Sequence, residues 1–351
     1  MNNLPKKIYS GGHGKCHVQG IAVDTKREYM YFSFTTKLLK TDMQGNIIGS
    51  VEGLTGHLGC LDFNDDDGRV YGSLEYKKDS IGYGILKALG VEKEIENGFY
   101  IAIFDVSKID RIGMDAEKDG IMTTVYLKEV VDDFLGKGTN GKEHKYGCSG
   151  IDGVAFGPEF GDFKGSKKYL NVAYGIYGDV ERDDNDHQVI LSYDISDWSK
   201  YESPLSHVNF HKNGPDAPRK KYFVYTGNTT WGVQNLEYDG NTGNWLMAVY
   251  VGKKEKYPNL PMYIIDGAAK PEYKEIEGKQ ELTVPLLKDG QYDEKSGIYG
   301  WTFEYGSTGL FSLDNGYFYI SHNGKNEDGE QDSTVYLYKW NGNTPNPFEM
   351  V

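Results

Sequence analysis

The chain has only three cysteines among its 351 residues. Cys16, Cys60 and Cys148 cannot make a disulfide framework, so a packed core must supply the stability. A reducing compartment is the default expectation, which places the protein in the cytoplasm, with secretion after removal of a leader left open. No run of about 18 apolar residues occurs, so no helical membrane span is expected. The start, Met1-Asn-Asn-Leu-Pro-Lys-Lys, lacks the apolar stretch of a secretory leader. Basic residues are in deficit: 38 Lys and Arg stand against 52 Asp and Glu, a formal net charge of −14. Such a surface opposes nucleic-acid phosphates and anionic membranes. It admits small neutral or cationic ligands and a bound divalent cation.

Strong catalytic signatures are missing as well. There is no HExxH, no GxSxG and no paired CxxC. The run Gly136-Lys-Gly-Thr-Asn-Gly141-Lys142 imitates a phosphate loop, but it follows a predicted helix, and Glu143 stands where Ser or Thr should be. At the acidic runs 64–68 and 183–186 the glycine and closing glutamate of an EF-hand are missing or misplaced, and the runs read as turns.

What the chain does hold is 45 glycines and 28 tyrosines, a mix that suits strands and tight turns. Five segments can be laid on one another: Gln19-Gly-Ile-Ala-Val-Asp24, Gly59-Cys-Leu-Asp-Phe-Asn64, Asp152-Gly-Val-Ala-Phe-Gly157, Gln234-Asn-Leu-Glu-Tyr-Asp239 and Gly309-Leu-Phe-Ser-Leu-Asp314. Each carries large apolar side chains at its third and fifth positions, the period-two mark of a strand with one packed face. Each is followed by a second and a third strand-like run, and the first four by a fourth, at 47–51, 123–127, 222–225 and 282–286. The fifth has none, whereas Lys7-Ile-Tyr9 has no partner at the other end.

A ring closes both gaps if the N-terminal strand completes the last sheet, leaving no open edge. The expected fold is therefore all-β: a five-bladed β-propeller over residues 1–351 as one domain, with a three-plus-one closing blade. One short helix is expected near Leu127–Leu135, stopped by Gly136. The insertions at 77–97, 176–187 and 252–261 all join second strands to third strands, so they should rim one mouth of the channel.

The repeat register then nominates a site. His17 and His57 occupy equivalent places just before the aligned segments, and Gln19, Asp152 and Gln234 share the next inward position. Asp62 and Glu237 share another, where a poorly solvated carboxylate must be paired, protonated or metal-bound. Glu75, Tyr174, Tyr250 and His322 end second strands directed at the same face. Trp231 and Trp301 precede innermost strands and could offer aromatic platforms to a sugar ring. The expected roles are acid–base catalysis by His17, His57, Asp152 and Glu237, and substrate binding by Gln19, Gln234, Glu75, Tyr174, Tyr250, Trp231 and His322. A divalent metal (Ca, Mn or Zn) would sit on His17, His57, Asp62 and Asp152. Each such residue also has a plain structural use, since buried acids in propellers tie blades together through backbone amides.

The five-fold blade pattern resembles the broad group of NHL, YVTN and SMP-30-like propellers. In SMP-30-like lactonases that likeness implies a channel calcium on Glu, Asn and Asp. Asp152, Glu237 and Asn235 are the matching types here, while His17 and His57 depart from the pattern. Five-bladed glycosidases draw three carboxylates from different inner strands, and Asp62, Asp152 and Glu237 are similar in kind, although the first blade carries Ala22 where Asp62 and Glu237 stand. Two functions are open on these grounds. One is a metal-dependent hydrolase or lyase acting on a small polar or sugar-like substrate. The other is a non-catalytic ligand-binding or interaction scaffold.

Overall fold

The computed structural model describes residues 4–163 and 165–351. Among the described residues five antiparallel blades are arranged as a propeller, the five repeated segments supply their innermost strands, and a further two-stranded sheet joins Gln291–Asp293 to Ile298–Gly300. Blade one comprises Gly20–Val23, Tyr29–Ser33, Leu38–Asp42 and Ile47–Glu52. Blade two runs through His57–Asn64, Arg69–Tyr76, Gly98–Phe104 and Met122–Tyr126. Blade three uses Cys148–Gly157, Tyr169–Ile176, His187–Tyr193 and Lys220–Tyr225. Blade four has Thr229–Asp239, Asn244–Val251 and Met262–Ile265. Blade five has Leu310–Ser312, Tyr317–Lys325 and Gln331–Trp340.

The N-terminal strand Lys7–Tyr9 pairs with blade five, Ile8 opposite Val335, and the Ile8 side chain is fully buried. The same edge also receives Phe348–Met350, so both chain ends cover what would otherwise be an unpaired strand. Alternate residues of each strand pack against the neighbouring blade. The aliphatic and aromatic side chains between blades one, two and three form the largest continuous core.

Two expectations need correction. The run at 282–286 does not complete blade four. Lys279–Thr283 instead pairs in parallel with the outer strand of blade three, and only an isolated bridge from Leu286 to Ile265 reaches blade four. A local apolar run cannot tell which of two neighbouring edges it will join. The second correction concerns α-helices, of which there are two among the described residues. The expected one is Lys128–Leu135, followed by Gly136. The other, α1 (Ser80–Leu89), lies in the insertion at 77–97. Asp79 caps it through bonds to the Ile81 and Gly82 amides, and Gly90 ends it in the left-handed conformation. Its caps were legible in the sequence, but Gly82 and Gly84 obscured the helical period.

Candidate functional site

Three of the innermost strands are irregular where they approach one mouth of the channel. Pairing shifts between Leu58 and Leu61 in blade two, and at Cys148/Gly150 and Ile151/Val154 in blade three. It shifts again at Thr230/Val233 and Val233/Asn235 in blade four. Such bulges re-aim side chains. Here the residues released from strict pairing include Ser149, Asp152, Trp231 and Gln234, and all four line one cavity of about 380 Å³. His17, Gln19, His57, Glu75, Lys77 and Tyr250 add further polar groups to its lining. The inner face of α1 walls one side with Ile81, Gly84, Ile85 and Ala88. That volume falls within the range of small-molecule sites, about 300–1,000 Å³.

Two glycines make the carboxylate geometry possible. A Cβ on Gly150, whose φ is +126°, would lie within 1.9 Å of Glu75 Oε2. One on Gly59 would lie 2.6 Å from Asp152 Oδ1. Each glycine thus leaves the space that a carboxylate occupies.

Glu75 is almost fully buried and fully engaged. Its Oε2 accepts from the Ile151 amide at 2.9 Å, and its Oε1 lies 2.5 Å from the Lys77 ammonium. Lys77 also donates to the Ser149 carbonyl at 2.8 Å. Asp152 Oδ2 accepts from Gln234 Nε2 at 3.1 Å. Between the two acids sits His57, whose Nδ1 is 3.6 Å from Glu75 Oε1 and 3.8 Å from Asp152 Oδ1. That nitrogen is buried and has no hydrogen-bond partner.

The electrostatics separate these groups. Burial, and then the charge of nearby Lys77, push the His57 imidazole down to about 3, so it is neutral at physiological pH. Burial raises Asp152 well above the usual carboxylate range, and the Glu75 charge adds to the effect. Burial raises Glu75 too, but Lys77 and the Ile151 amide oppose it. The Lys77 ammonium against Glu75 favours the ionised form there, and Asp152, which has no cation in contact, is the more readily protonated of the two. His17 completes the set. Its Nδ1 lies 2.8 Å from the Val18 carbonyl, an acceptor, so Nδ1 is assigned as a donor, and the Gln19 amide nitrogen lies 3.3 Å from Nε2.

Other nominated residues lie elsewhere. Asp62 and Glu237 line a separate cavity of about 180 Å³ together with Asp24, Asp65 and Asp314. Along the strand, five residues separate His57 from Asp62, roughly 16 Å at 3.3 Å per residue, so the two ends of one strand serve opposite mouths. Asp62 accepts from the Phe63 and Phe156 amides, and Glu237 from the Ser312 amide, which ties blades two to three and four to five. Tyr174 is buried and donates to Asp133 away from the pocket. His322 stacks on Tyr305 and bonds the Tyr338 hydroxyl, and Trp301 packs in the core against Trp340. These side chains share a register with pocket residues, but their neighbours turn them aside. Of the three insertions, that at 77–97 walls the pocket, while those at 176–187 and 252–261 are tied to each other by Lys254, which bonds Arg182, Asn185 and Asp186.

The metal set His17, His57, Asp62 and Asp152 is not assembled, since Asp62 is at the far mouth. Among the described residues no three His, Cys, Asp or Glu side chains converge as a metal site. The cation beside Glu75 is the Lys77 ammonium, so the donors present do not fit a divalent ion. The sequence reading missed Lys77, Ser149 and α1. A lysine two residues beyond a strand-ending glutamate was the available signal.

No family model matches the sequence, and no curated protein does. Solved structures do match. An exo-1,5-alpha-L-arabinanase from a bovine ruminal metagenomic library has 10% identity and a TM-score of 0.43, covering 97% of this chain and 98% of the other. A gluconolactonase from Xanthomonas campestris has 9% identity and a TM-score of 0.33, with 93% and 88% covered. The PQQ domain of pyranose dehydrogenase from Coprinopsis cinerea has 11% identity and a TM-score of 0.31, with 95% and 96% covered. The topology of this chain is itself that of a five-bladed β-propeller. Among the described residues no helix is long and apolar enough to cross a membrane.

Proposed function

We propose that the protein is an acid–base enzyme, a hydrolase or lyase, which takes a small, polar, carbohydrate-like substrate in the pocket beside α1. One observation carries the reading: His57 Nδ1 is buried, unpartnered and set between two carboxylates at the edge of a cavity. An orphaned buried nitrogen is costly, and a ligand hydroxyl would satisfy it.

The roles follow from protonation state. Asp152 carries the proton and serves as general acid toward a leaving oxygen. His17 Nε2, with the Gln19 amide nitrogen 3.3 Å away, takes the proton of the attacking water. In hydrolysis the water gives a proton to His17 and its oxygen bonds to the substrate's reacting carbon, while the bond from that carbon to the leaving oxygen breaks and that oxygen takes the Asp152 proton. Neutral His57 anchors the substrate, Gln19 and Gln234 orient it, and Trp231 and Tyr250 offer flat apolar faces. Cys60 is no nucleophile, because burial pushes its thiol up to about 12.

The test is turnover of a panel of aryl glycosides, aldonolactones and small sugar esters, with Asp152→Asn and His17→Ala measured beside the native protein. Each variant should lose about 10²–10⁴-fold in kcat, the usual worth of one positioned acid or base. Saturable sugar binding with no turnover on any member would leave a binding scaffold as the function.

A further inference from the structure

We infer that Lys77 sets the specificity of this pocket: by occupying Glu75 it makes the pocket floor electrically neutral and selects an uncharged, hydroxyl-bearing ligand over a cationic one. The inference deepens the proposed function, on which its ligand class rests.

Lys77 and Glu75 are among the least exposed charged side chains of the protein, at 4% and 3%. A buried ion pair is a poor source of stability, since apolar residues of similar size do as well. Its persistence at a cavity wall points to the charge itself. The ammonium is locked from two blades, by Glu75 Oε1 at 2.5 Å in blade two and the Ser149 carbonyl at 2.8 Å in blade three. Gly150 and the Ile151 amide clamp the other carboxylate oxygen, so neither partner can swing away to meet a ligand.

The charged and titratable groups facing this pair are few. Asp79 lies 3.8 Å from Lys77, but it caps the N-terminus of α1, whose dipole opposes its charge. Asp152 shares the floor across His57. His57 and His17 line the same cavity, and Lys15 stands at its rim. With Glu75 cancelled by Lys77, the floor offers a ligand mainly hydrogen-bonding groups: His57 Nδ1, the Gln19 and Gln234 amides, and the Asp152 carboxyl. Hydroxyls, which both donate and accept, suit that set. Without Lys77 the buried Glu75 carboxyl would lose its partner and take up a proton, and an arriving ammonium group would ionise it again and pair with it.

Three probes of like shape read this directly: glucose, glucosamine and glucuronate, titrated by NMR into the native protein, Lys77→Gln and Lys77→Arg. The native protein should bind glucose more tightly than glucosamine. Lys77→Gln should reverse the order, with a relative change of at least tenfold, and Lys77→Arg should restore it. An unchanged ratio in Lys77→Gln, or a native preference for glucosamine, overturns the inference. A second measurement needs no sugar and no turnover. Carboxyl ¹³C shifts at pH 7 should show Glu75 ionised in the native protein and protonated in Lys77→Gln, whose fold is checked by amide spectra. Glu75 in the same state in both proteins overturns the inference even where every sugar binds. If no sugar binds while Glu75 changes state as stated, the proposed carbohydrate ligand fails and the neutral floor stands.

Discussion

The Cys60 thiol lies 3.4 Å from the Asn235 side-chain carbonyl, although 175 residues separate them in the chain. Cys60 also donates to the Val154 carbonyl, while the Asn235 amide donates to the carbonyls of Gln19 and Ser307. Blades one to four and the segment leading into blade five therefore meet at one buried point. That knot stands between the pocket and the far acidic cavity, which share no lining residue.

Asn235→Ala removes the donor to the Gln19 and Ser307 carbonyls, while the Cys60 thiol keeps the Val154 carbonyl. Unfolding by urea should show a loss of about 2–4 kcal/mol, the range for orphaned buried polar groups with a cavity added. A loss below half a kcal/mol would show that the blades hold together without this residue.

Ring closure by the N-terminal strand should be essential. Ile8→Asp buries an unpaired charge at a fully buried position beside Val335. The expected result is a protein that unfolds at least 10 °C lower and aggregates through the exposed edge of Gln331–Trp340. Differential scanning calorimetry with light scattering reads both.

Asp62 gives a pH signature. Burial raises it to about 7. The folded chain thus binds a proton that the unfolded chain releases near its ordinary value of about 3.9. Between those two values the folded state holds more protons, so this group makes stability fall as pH rises. His57 works in the opposite sense: its folded value of about 3 lies below the ordinary 6.5, so stability falls as pH drops through that window. Asp62→Asn should therefore remove this group's downward contribution to Tm between about pH 4 and 7 without altering turnover at the distant pocket. An unchanged slope would mean that Asp62 is ionised throughout.

Trp231 sits in the left-handed region at φ 64°, with Gly232 following at 74°. A bulky residue there is strained by roughly 1–2 kcal/mol. Trp231→Gly should relieve the backbone, so that the fold loses little stability, yet sugar binding should weaken at least tenfold as the aromatic face is lost. Trp231→Ala, which loses the ring and keeps the strain, separates the two effects by comparison of Tm and Kd.

The five aligned segments made the blade number legible, because a period-two pattern needs only its own residues to be read. Closure followed from Lys7–Tyr9 and the missing fifth outer strand by counting edges. The helix ending at Gly136 was legible from its stop signal, whereas the one between Asp79 and Gly90 was masked by internal glycines. His17, His57, Gln19, Asp152 and Gln234 were brought to one cavity as their shared registers implied. Asp62 and Glu237 were not, because register tells which way a side chain points and not which end of the channel it reaches.

Sequence alone determined the all-β class, the five-fold repeat and the chemical types available at the channel, since alternation and turn chemistry act over a few residues. Tertiary structure decided which of those groups meet. Bulges in three inner strands, two glycines that leave room for carboxylates, and Lys77 docking across blades are contacts between distant segments. Their energies depend on burial, which no local pattern encodes.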